Sequence, residues 1–440
     1  MGIYKSVLSY KLKGDVFRGS PHSDQGVEFR ESYGGEPDVV VSAPGRLDFL
    51  NTHQDYKGLP VVGVAVNLRV YVAVSGREDF NVNVSSWNLK IEGLECRDSF
   101  NVDNATLIGG GWFGDYIRAG VRVLTSLYRI EGFNMLIASD IPMGSGLGSS
   151  GSLLVASLGA LNELYSLKLS VRDIAELSYK AEHDVMGIPC GRLDQYTSAF
   201  GNAIVINTRP PYNVERLNLR AQFVVLDSGI RHSTADIHPR RQGELLEALK
   251  SLREIEIPGG LARLIKTSYY DTDWEGLAEN YHLLAPYIEL LQVKLRSRVL
   301  YTIKAHRSTM LALKILKGLP VSLEEVAEEL QLEASSVKEY ISGYDDASRA
   351  LIGLIMIYQH RLLRDLYEVS LPPLDELVDL SIKMGAYGAK LSGAGLGGAV
   401  IALIPSTSVG ELVLGEAIRR GLATRGWVVE VDDGLRVDRG

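Results

Sequence analysis

The stretch Ile141-Pro142-Met143-Gly144-Ser145-Gly146-Leu147-Gly148-Ser149-Ser150-Gly151-Ser152 constrains this chain more than any other. An apolar, strand-like run, Phe133 to Ala138, precedes it, and a nearly all-apolar helical pattern, Leu153 to Tyr165, follows. Glycines between a strand and a helix start let the backbone approach a ligand and adopt positive φ. Free N–H groups and the helix dipole favour an anion there, so the stretch can cradle a phosphate. Its serine hydroxyls can bond phosphate oxygens or Mg2+. It is not the glycine-rich loop that ends in Lys-Ser or Lys-Thr, because no lysine follows its glycines. An ordinary flexible connection stays open as the other reading.

The chain has 440 residues, which favours two domains. Hydrophobic residues make up 46% and charged residues 23%, enough apolar surface for a sizeable core. A net charge of -8 argues against a broad nucleic-acid face and asks for local positive potential wherever a phosphate binds. The two cysteines, Cys96 and Cys190, form no CxxC pair, so neither a zinc site nor a disulfide framework is expected. Residues 1–15 carry Lys5, Lys11 and Lys13 without an apolar core of signal-peptide length. No apolar run reaches the ~18 residues that span a bilayer. These features together predict a soluble, cytoplasmic protein.

Along the chain, His22 to Gln25 read as loop. Val39 to Ala43 reads as a strand that ends in Pro44-Gly45, followed by a turn carrying Arg46, His53 and Asp55. Val61 to Val74 suggests paired strands and Asn81 to Ser86 another, which points to an antiparallel or mixed sheet. Helical spacing predicts helices over Asp115–Tyr128, Leu153–Tyr165 and Val171–His183, the last with Ser170 as N-cap. Strands are expected at Ala203–Ile206 and Phe223–Leu226. The stiff segment Arg209-Pro210-Pro211-Tyr212 between them is a plausible boundary between domains 1–210 and 211–440. Helices then dominate: Gln242–Arg253, Leu261–Ser268, Trp274–Val293, Val299–Leu316 and Ala347–Tyr367. Lys390 to Ile404 is Gly-rich and then β, and Val409–Gly421 and Trp427–Val431 close the chain as helix and strand.

Three glycine-rich or charged turns stand out: Pro44–Tyr56, Pro142–Gly151 and Gly388–Gly398. With Ala181-Glu182-His183, Gly187, Pro189-Cys190-Gly191, Asp194-Gln195, Arg231-His232-Ser233, Arg240-Arg241 and His360 to Ser370 in order, the chain resembles the GHMP kinases, the galactokinase, homoserine kinase, mevalonate kinase and phosphomevalonate kinase superfamily. Within it, the chain is most similar to the galactokinases, over roughly residues 36 to 405.

The resemblance implies a two-domain α+β fold: a ribosomal-protein-like N-terminal domain and a ferredoxin-like C-terminal one, with the site in the cleft. It implies ATP-dependent phosphorylation of a sugar at its anomeric hydroxyl by a monomer or dimer, with ATP and Mg2+ and without nucleic acid or membrane. Asp194 becomes the general base, a role a carboxylate near a hydroxyl can fill; taken alone it reads as a helix N-cap. Arg46 would pair with Asp194 and offset developing charge, or make a surface ion pair. Ser150 of the Ser149-Ser150 pair and Glu182 match the Mg2+ site, which suits one carboxylate plus phosphate oxygens. Taken alone, Glu182 reads as a solvated helix face. Pro142, Gly144, Ser145, Gly146, Leu147, Gly148, Ser149 and Ser150 become the ATP loop. Trp87 and residues 112–116 match an adenine-packing region, or core aromatics.

Thr52, His53, Asp55 and His238 match sugar-binding positions, with the imidazole expected as a donor; His53 also reads as a satisfied turn histidine. Gly393 to Gly398 would approach the active site, or form a tight turn. Thr52 stands where galactokinases carry Glu, and His238 where they carry a sugar-contacting Tyr. Losing a carboxylate acceptor removes about 1.5–3 kcal/mol from a hydroxyl contact. This opens another sugar (N-acetylhexosamine, pentose or uronic acid) as an alternative, beside a non-catalytic sugar- and ATP-binding regulator. A helical insertion near 319–345 has helix-turn-helix spacing but is acidic where DNA would lie, so a plain surface hairpin is expected.

Overall fold

The computed structural model describes residues 21–142, 144–231 and 234–439, and only the backbone of the helical residues 21–26 and 234–237. Lys5, Lys11, Lys13, Met143, His232 and Ser233 of the sequence reading lie outside the described residues. Two units form. One holds the described residues up to Arg46, Ala65–Gly201 and Asp432 onward; the other holds Leu47–Val64 and Asn202–Val431. Among the described residues no helix is long and apolar enough to cross a membrane.

The first unit is built on strands β1 (Val39–Leu50, of which Val39–Arg46 belong here), β2 (Val61–Gly76, from Ala65), β3 (Asn81–Ser86), β4 (Arg97–Asn101) and β5 (Phe133–Ser139), with the C-terminal strand β12 (Arg436–Arg439). Their order is β12-β1-β2-β5-β3-β4. β3 runs parallel to β5 and the β1/β12, β2/β5 and β3/β4 pairs are antiparallel, so the sheet is mixed, as the early run of strands predicts. Arg69, 2% exposed, holds the C-terminal segment to the sheet through Ser42, Asp432 and the carbonyls of Asp433 and Gly434. The helices here are α1 (Pro21–Tyr33), α2 (Trp87–Ile91), α3 (Asp115–Thr125), α4 (Ser149–Leu164), α5 (Val171–Lys180) and α6 (Leu193–Phe200). α4 packs with α3, α5 and α6. Its apolar composition all round matches a helix buried among others.

Several expectations change here. His22 to Gln25 lie in α1 rather than in a loop. β1 does not end at Pro44-Gly45; it continues to Leu50 and carries Arg46 and Asp48. The reason is tertiary: the hydroxyls of Ser152 and Ser198 both donate to the Pro44 carbonyl at 2.7 Å, and Arg46 N–H donates to the Leu147 carbonyl at 2.8 Å. Val61 to Val74 is one long strand, not two. Ser170 does cap α5, in a reciprocal capping box with Asp173. The helix expected to reach His183 stops at Lys180 and gives way to a π-helical turn, Ala181–Val185.

The second unit carries β6 (Ala203–Ile206) and β7 (Val214–Leu217), a hairpin whose connection includes Arg209 to Tyr212, and a four-stranded antiparallel sheet of β8 (Gln222–Asp227), β9 (Gly388–Ser392), β10 (Ala399–Ile404) and β11 (Arg425–Glu430) in the order β11-β8-β10-β9. Its helices are α7 (Thr234–Glu254), α8 (Gly259–Ala262), α9 (Trp274–Glu279), α10 (Tyr281–Ile288), α11 (Val293–Leu316), α12 (Leu323–Leu330), α13 (Ala334–Ser342), α14 (Ala347–Asp365), α15 (Pro372–Lys383) and α16 (Thr407–Arg419). Leu245, Leu249, Leu252, Trp274, Leu284 and Val299 belong to one helical core.

The helix expected over Trp274–Val293 is broken, because Asn280 ends α9, with its side chain donating to the Gly276 carbonyl, and starts α10. The one expected over Leu261–Ser268 is a single turn. Ser268 and Thr272 side chains accept from the backbone N–H groups of Tyr270 and Lys266 and offer the chain an alternative to helix. α15, unforeseen, begins with proline in its first turn. The insertion is the expected hairpin, α12 and α13, whose Tyr340 and Tyr344 hydroxyls donate to the carbonyls of Tyr387 and Ala386.

Candidate active site

In the first unit, β5 feeds the loop that ends at α4. Gly144, Gly146 and Gly148 take φ of 66°, 75° and 71°, left-handed values that cost a glycine little. Gly148 is the N-cap of α4, so the free N–H groups of Ser149 and its neighbours head a 16-residue helix. The Ser145 hydroxyl is buried and has no hydrogen-bond partner among the described residues, an orphan that a phosphate oxygen would satisfy.

Arg46 faces this loop. Its Nε and Nη2 donate to the two oxygens of Asp194, each at 2.6 Å, and Nη1 donates to the Gly146 carbonyl. Asp194 is the second residue of α6, where Arg192 takes the cap position with no side-chain capping bond. Its carboxylate is turned to Arg46, so the capping alternative is set aside. Two glycines permit this approach: a Cβ on Gly151 would lie 2.9 Å from Asp194 Cβ, and one on Gly148 would lie 3.0 Å from Arg46 Cγ.

Glu182 sits on the π turn, 5% exposed, rather than on a solvated helix face. It accepts from Gln195 Nε2 at 2.6 Å, and Ser150 lies close enough to support its charge. Burial, then the nearby charge of Asp194, raises its pKa. Tyr116, a neighbour of Ser150, is pushed up to about 12 by burial. One carboxylate with a serine hydroxyl, beside a glycine loop with an orphaned serine, fits Mg2+ carried by phosphates better than an all-protein cage. No cluster of three metal-ligating side chains occurs among the described residues. Trp87 opens α2 and packs against the cluster of Phe29, Val40, Ala73 and Leu136, the packing alternative for that residue.

In the second unit, the end of β1 runs into a turn of residues 51–58. Asn51 and His53 hold left-handed φ of 65° and 62°, unusual for residues with a Cβ and common at ligand-binding turns. The Thr52 hydroxyl donates to Asp48 Oδ1 at 3.0 Å and accepts from Lys390 Nζ at 2.9 Å. Lys390 also donates to the Asp48 carbonyl at 2.9 Å, and burial lowers its pKa to about 8. His53 Nε2 lies 3.0 Å from the Ala394 carbonyl. The His238 ring is 5.1 Å from His53, and Tyr56 shares a hydroxyl contact with Tyr367. Asp55 opens a 3-10 turn and is half-buried.

Lys57 is fully buried, bonded to Thr302 Oγ1 at 3.1 Å and set over the rings of Tyr367 and Tyr301 at 4.8 and 4.9 Å. Burial lowers its pKa, and burial followed by the charge of His238 lowers that of His53. The glycine loop 393–398 packs on backbone: a Cβ on Gly395 would meet the Val369 carbonyl at 2.3 Å and one on Gly397 the Ile230 carbonyl at 2.6 Å.

The first unit thus assembles Arg46, Glu182, Asp194 and the loop from Pro142 to Ser150. The second assembles Thr52, His53, Asp55 and His238. Sequence reasoning missed Gln195, Lys57, Lys390, Tyr301 and Tyr367 as site members. The signal for Lys57 is a lysine directly after Asp55-Tyr56 and before Gly58-Leu59-Pro60, where a surface lysine would have polar neighbours.

These features, and the fold around them, define the GHMP kinase class. The pattern of the GHMP kinases N terminal domain matches residues 115–202, and that of the GHMP kinases C terminal matches residues 348–421. The structure is similar to the mevalonate kinase of Methanococcus jannaschii, with a TM-score of 0.56 and 18% identity over 90% of this chain and 99% of that one. Within the class, the galactokinase galactose-binding signature matches residues 27–76. The chain is 32% identical over 388 residues to the galactokinase of Roseiflexus sp. (strain RS-1), covering 87% of each, and 27% identical over 397 residues to that of Homo sapiens, covering 86% of this chain and 87% of the other. The Lactococcus lactis galactokinase complexed with galactose superposes with a TM-score of 0.75, at 24% identity over 94% of this chain and 99% of that one. This chain belongs to the galactokinase family.

Proposed function

We propose that this chain uses ATP to phosphorylate galactose at its anomeric hydroxyl, giving galactose 1-phosphate and ADP. The observation that carries the reading is the two-point pairing of Arg46 with Asp194 at the mouth of the glycine loop. Phosphoryl transfer asks chiefly for positioning and charge neutralisation. Asp194 accepts the proton of the attacking hydroxyl. Arg46 fixes the carboxylate and faces the charge that develops on the transferred group. The loop from Pro142 to Ser150 cradles the phosphates of ATP, with its N–H groups and the Ser145 hydroxyl as donors. Glu182 and Ser150 would hold Mg2+, which when bound draws charge from the phosphate oxygens. Gln195 holds Glu182 in place.

The sugar is read by His53, Asp55 and His238. Thr52 serves the pocket indirectly, because its hydroxyl is taken up by Asp48 and Lys390. The proposed N-terminal kinase domain is residues 1–210 and the C-terminal one residues 211–440, apart from the segments 47–64 and 202–210, which group with the second unit, and 432 onward, which groups with the first. Another sugar, or a regulator without turnover, finds no support among the relatives, which are named galactokinases. A coupled assay of ADP release over a panel of hexoses, N-acetylhexosamines, pentoses and uronic acids tests the reading. Galactose should give the highest kcat/KM, and a clear preference for any other sugar would overturn it.

A further inference from the structure

We propose that His53 reads a sugar hydroxyl as a hydrogen-bond acceptor through Nδ1, and that Lys57 and Lys390 are positioning residues for its ring. The inference rests on the sugar-kinase reading above and reverses the donor role expected from sequence.

The tautomer follows from geometry. The Ala394 carbonyl offers only lone pairs, so the ring nitrogen 3.0 Å from it must carry the hydrogen. A neutral ring with hydrogen on Nε2 has a lone pair on Nδ1, and Nδ1 has no hydrogen-bond partner among the described residues. An imidazolium would donate from both nitrogens and could not accept. The ring cannot readily swing to present the other edge, since its backbone is held in a left-handed conformation and its faces meet His238 and Tyr367 at 5.1 and 5.0 Å.

The surroundings oppose a positive charge. His53 is 5% exposed, and burial is the largest influence against protonation. From its own turn comes Lys57, whose ammonium is held by Thr302 Oγ1 and by the faces of Tyr301 and Tyr367. From β9 comes Lys390, held by the Asp48 carbonyl and the Thr52 hydroxyl. His238 of α7 adds a third cationic neighbour whenever it is protonated. The Tyr56 and Tyr367 hydroxyls stay neutral, since burial raises both. The two acids, Asp48 on β1 and Asp55 in the turn, act on Lys390 and Lys57 respectively and support their charge. Buried cations beside an imidazole disfavour a further proton.

The test is nitrogen-detected NMR of the full-length protein labelled at histidine, with His53→Gln used to assign the signal, alongside calorimetric titration of galactose. In the wild type, His53 should show the Nε2–H tautomer and a protonation midpoint below the ordinary histidine value of about 6.5. In Lys57→Met and Lys390→Met the His53 midpoint should move up toward that value. Galactose affinity should fall about tenfold more at pH 5.5 than at pH 8, and ATP affinity should hold, since an acceptor lost to protonation is lost only at acid pH. The wild-type tautomer decides the matter even if a lysine variant fails to fold. If the wild type binds galactose but His53 carries its hydrogen on Nδ1 or titrates near 6.5, or if the variants weaken binding equally at both pH values, this inference fails alone. If the wild type binds no galactose, the functional reading fails and takes this inference with it.

Discussion

Arg46 and Asp194, 148 positions apart in sequence, meet as a planar fork and a carboxylate, Nε to Oδ1 and Nη2 to Oδ2, both at 2.6 Å. Asp194→Asn should keep the shape and lose both the charge and the basic oxygen. ADP release should then fall about 10²–10⁴-fold, the range of a lost general base, with galactose and ATP still bound. Arg46→Lys keeps a cation but not the fork. Losing one charge-assisted hydrogen bond, about 1.5–3 kcal/mol, predicts a kcat/KM about 10- to 100-fold lower. Equal activity in the lysine variant would show that the fork geometry is not needed.

Gly151 tests how tightly that pair is placed. The Cβ of an alanine there would press on Asp194 Cβ from 2.9 Å, and the contact is with atoms near the backbone rather than a flexible tip. α4 and α6 must therefore part by a few tenths of an ångström. Misplacement near the chemistry is costly, up to about 10²-fold for 1 Å. Gly151→Ala should lower kcat at least about tenfold, while the thermal melt followed by circular dichroism moves little.

These two sites show what was legible in the sequence. The strand, glycine loop and helix around Pro142 to Ser150 could be read directly, because glycine spacing and apolar periodicity are local signals. Arg46, Glu182 and Asp194 could be placed by their resemblance to the galactokinases. The continuation of β1 through Pro44-Gly45 could not be read, because the groups that satisfy the Pro44 carbonyl are serine hydroxyls more than 100 positions away. The π turn under Glu182 leaves no periodic trace. The burial of Lys57 and Lys390 has no local signal, because lysine is almost never fully buried unless partnered. Here the partners are tyrosine faces, hydroxyls and carbonyls, which only the tertiary fold brings together.

Thr52 separates a residue that touches sugar from one that holds the pocket. Thr52→Val removes the donor to Asp48 and one acceptor of Lys390, both buried. The cost should be about 1–3 kcal/mol for the two hydrogen bonds lost, a lowering of the melting temperature by roughly 2–4 °C per kcal/mol. The galactose KM should change by less than about threefold if no hydrogen bond to the sugar is lost. A large rise in KM with no loss of stability would return Thr52 to the sugar-contacting set.

Glu244 anchors the second unit. It accepts from Arg298 Nε at 2.6 Å, Arg241 Nη1 at 2.8 Å and Lys294 Nζ at 2.7 Å, and Arg298 is fully buried. Burial works against the carboxylate's charge, but hydrogen bonds from Lys294 and Arg298 outweigh it and bring its pKa down to about 2. A carboxyl depressed on folding stabilises the native state above its unfolded value, near 4.5. That contribution is lost as pH falls from there toward 2. Glu244→Gln should cost about 1–3 kcal/mol at neutral pH, since buried Arg298 then keeps Glu368 and the Leu366 carbonyl as partners. It should also flatten the acid dependence, because the group that titrates is gone. Urea unfolding midpoints measured from pH 7 down to about 3 would show both effects as a lower curve with a shallower acid limb. A variant curve that runs parallel to the wild type through the acid range would mean that other carboxyls govern the acid unfolding.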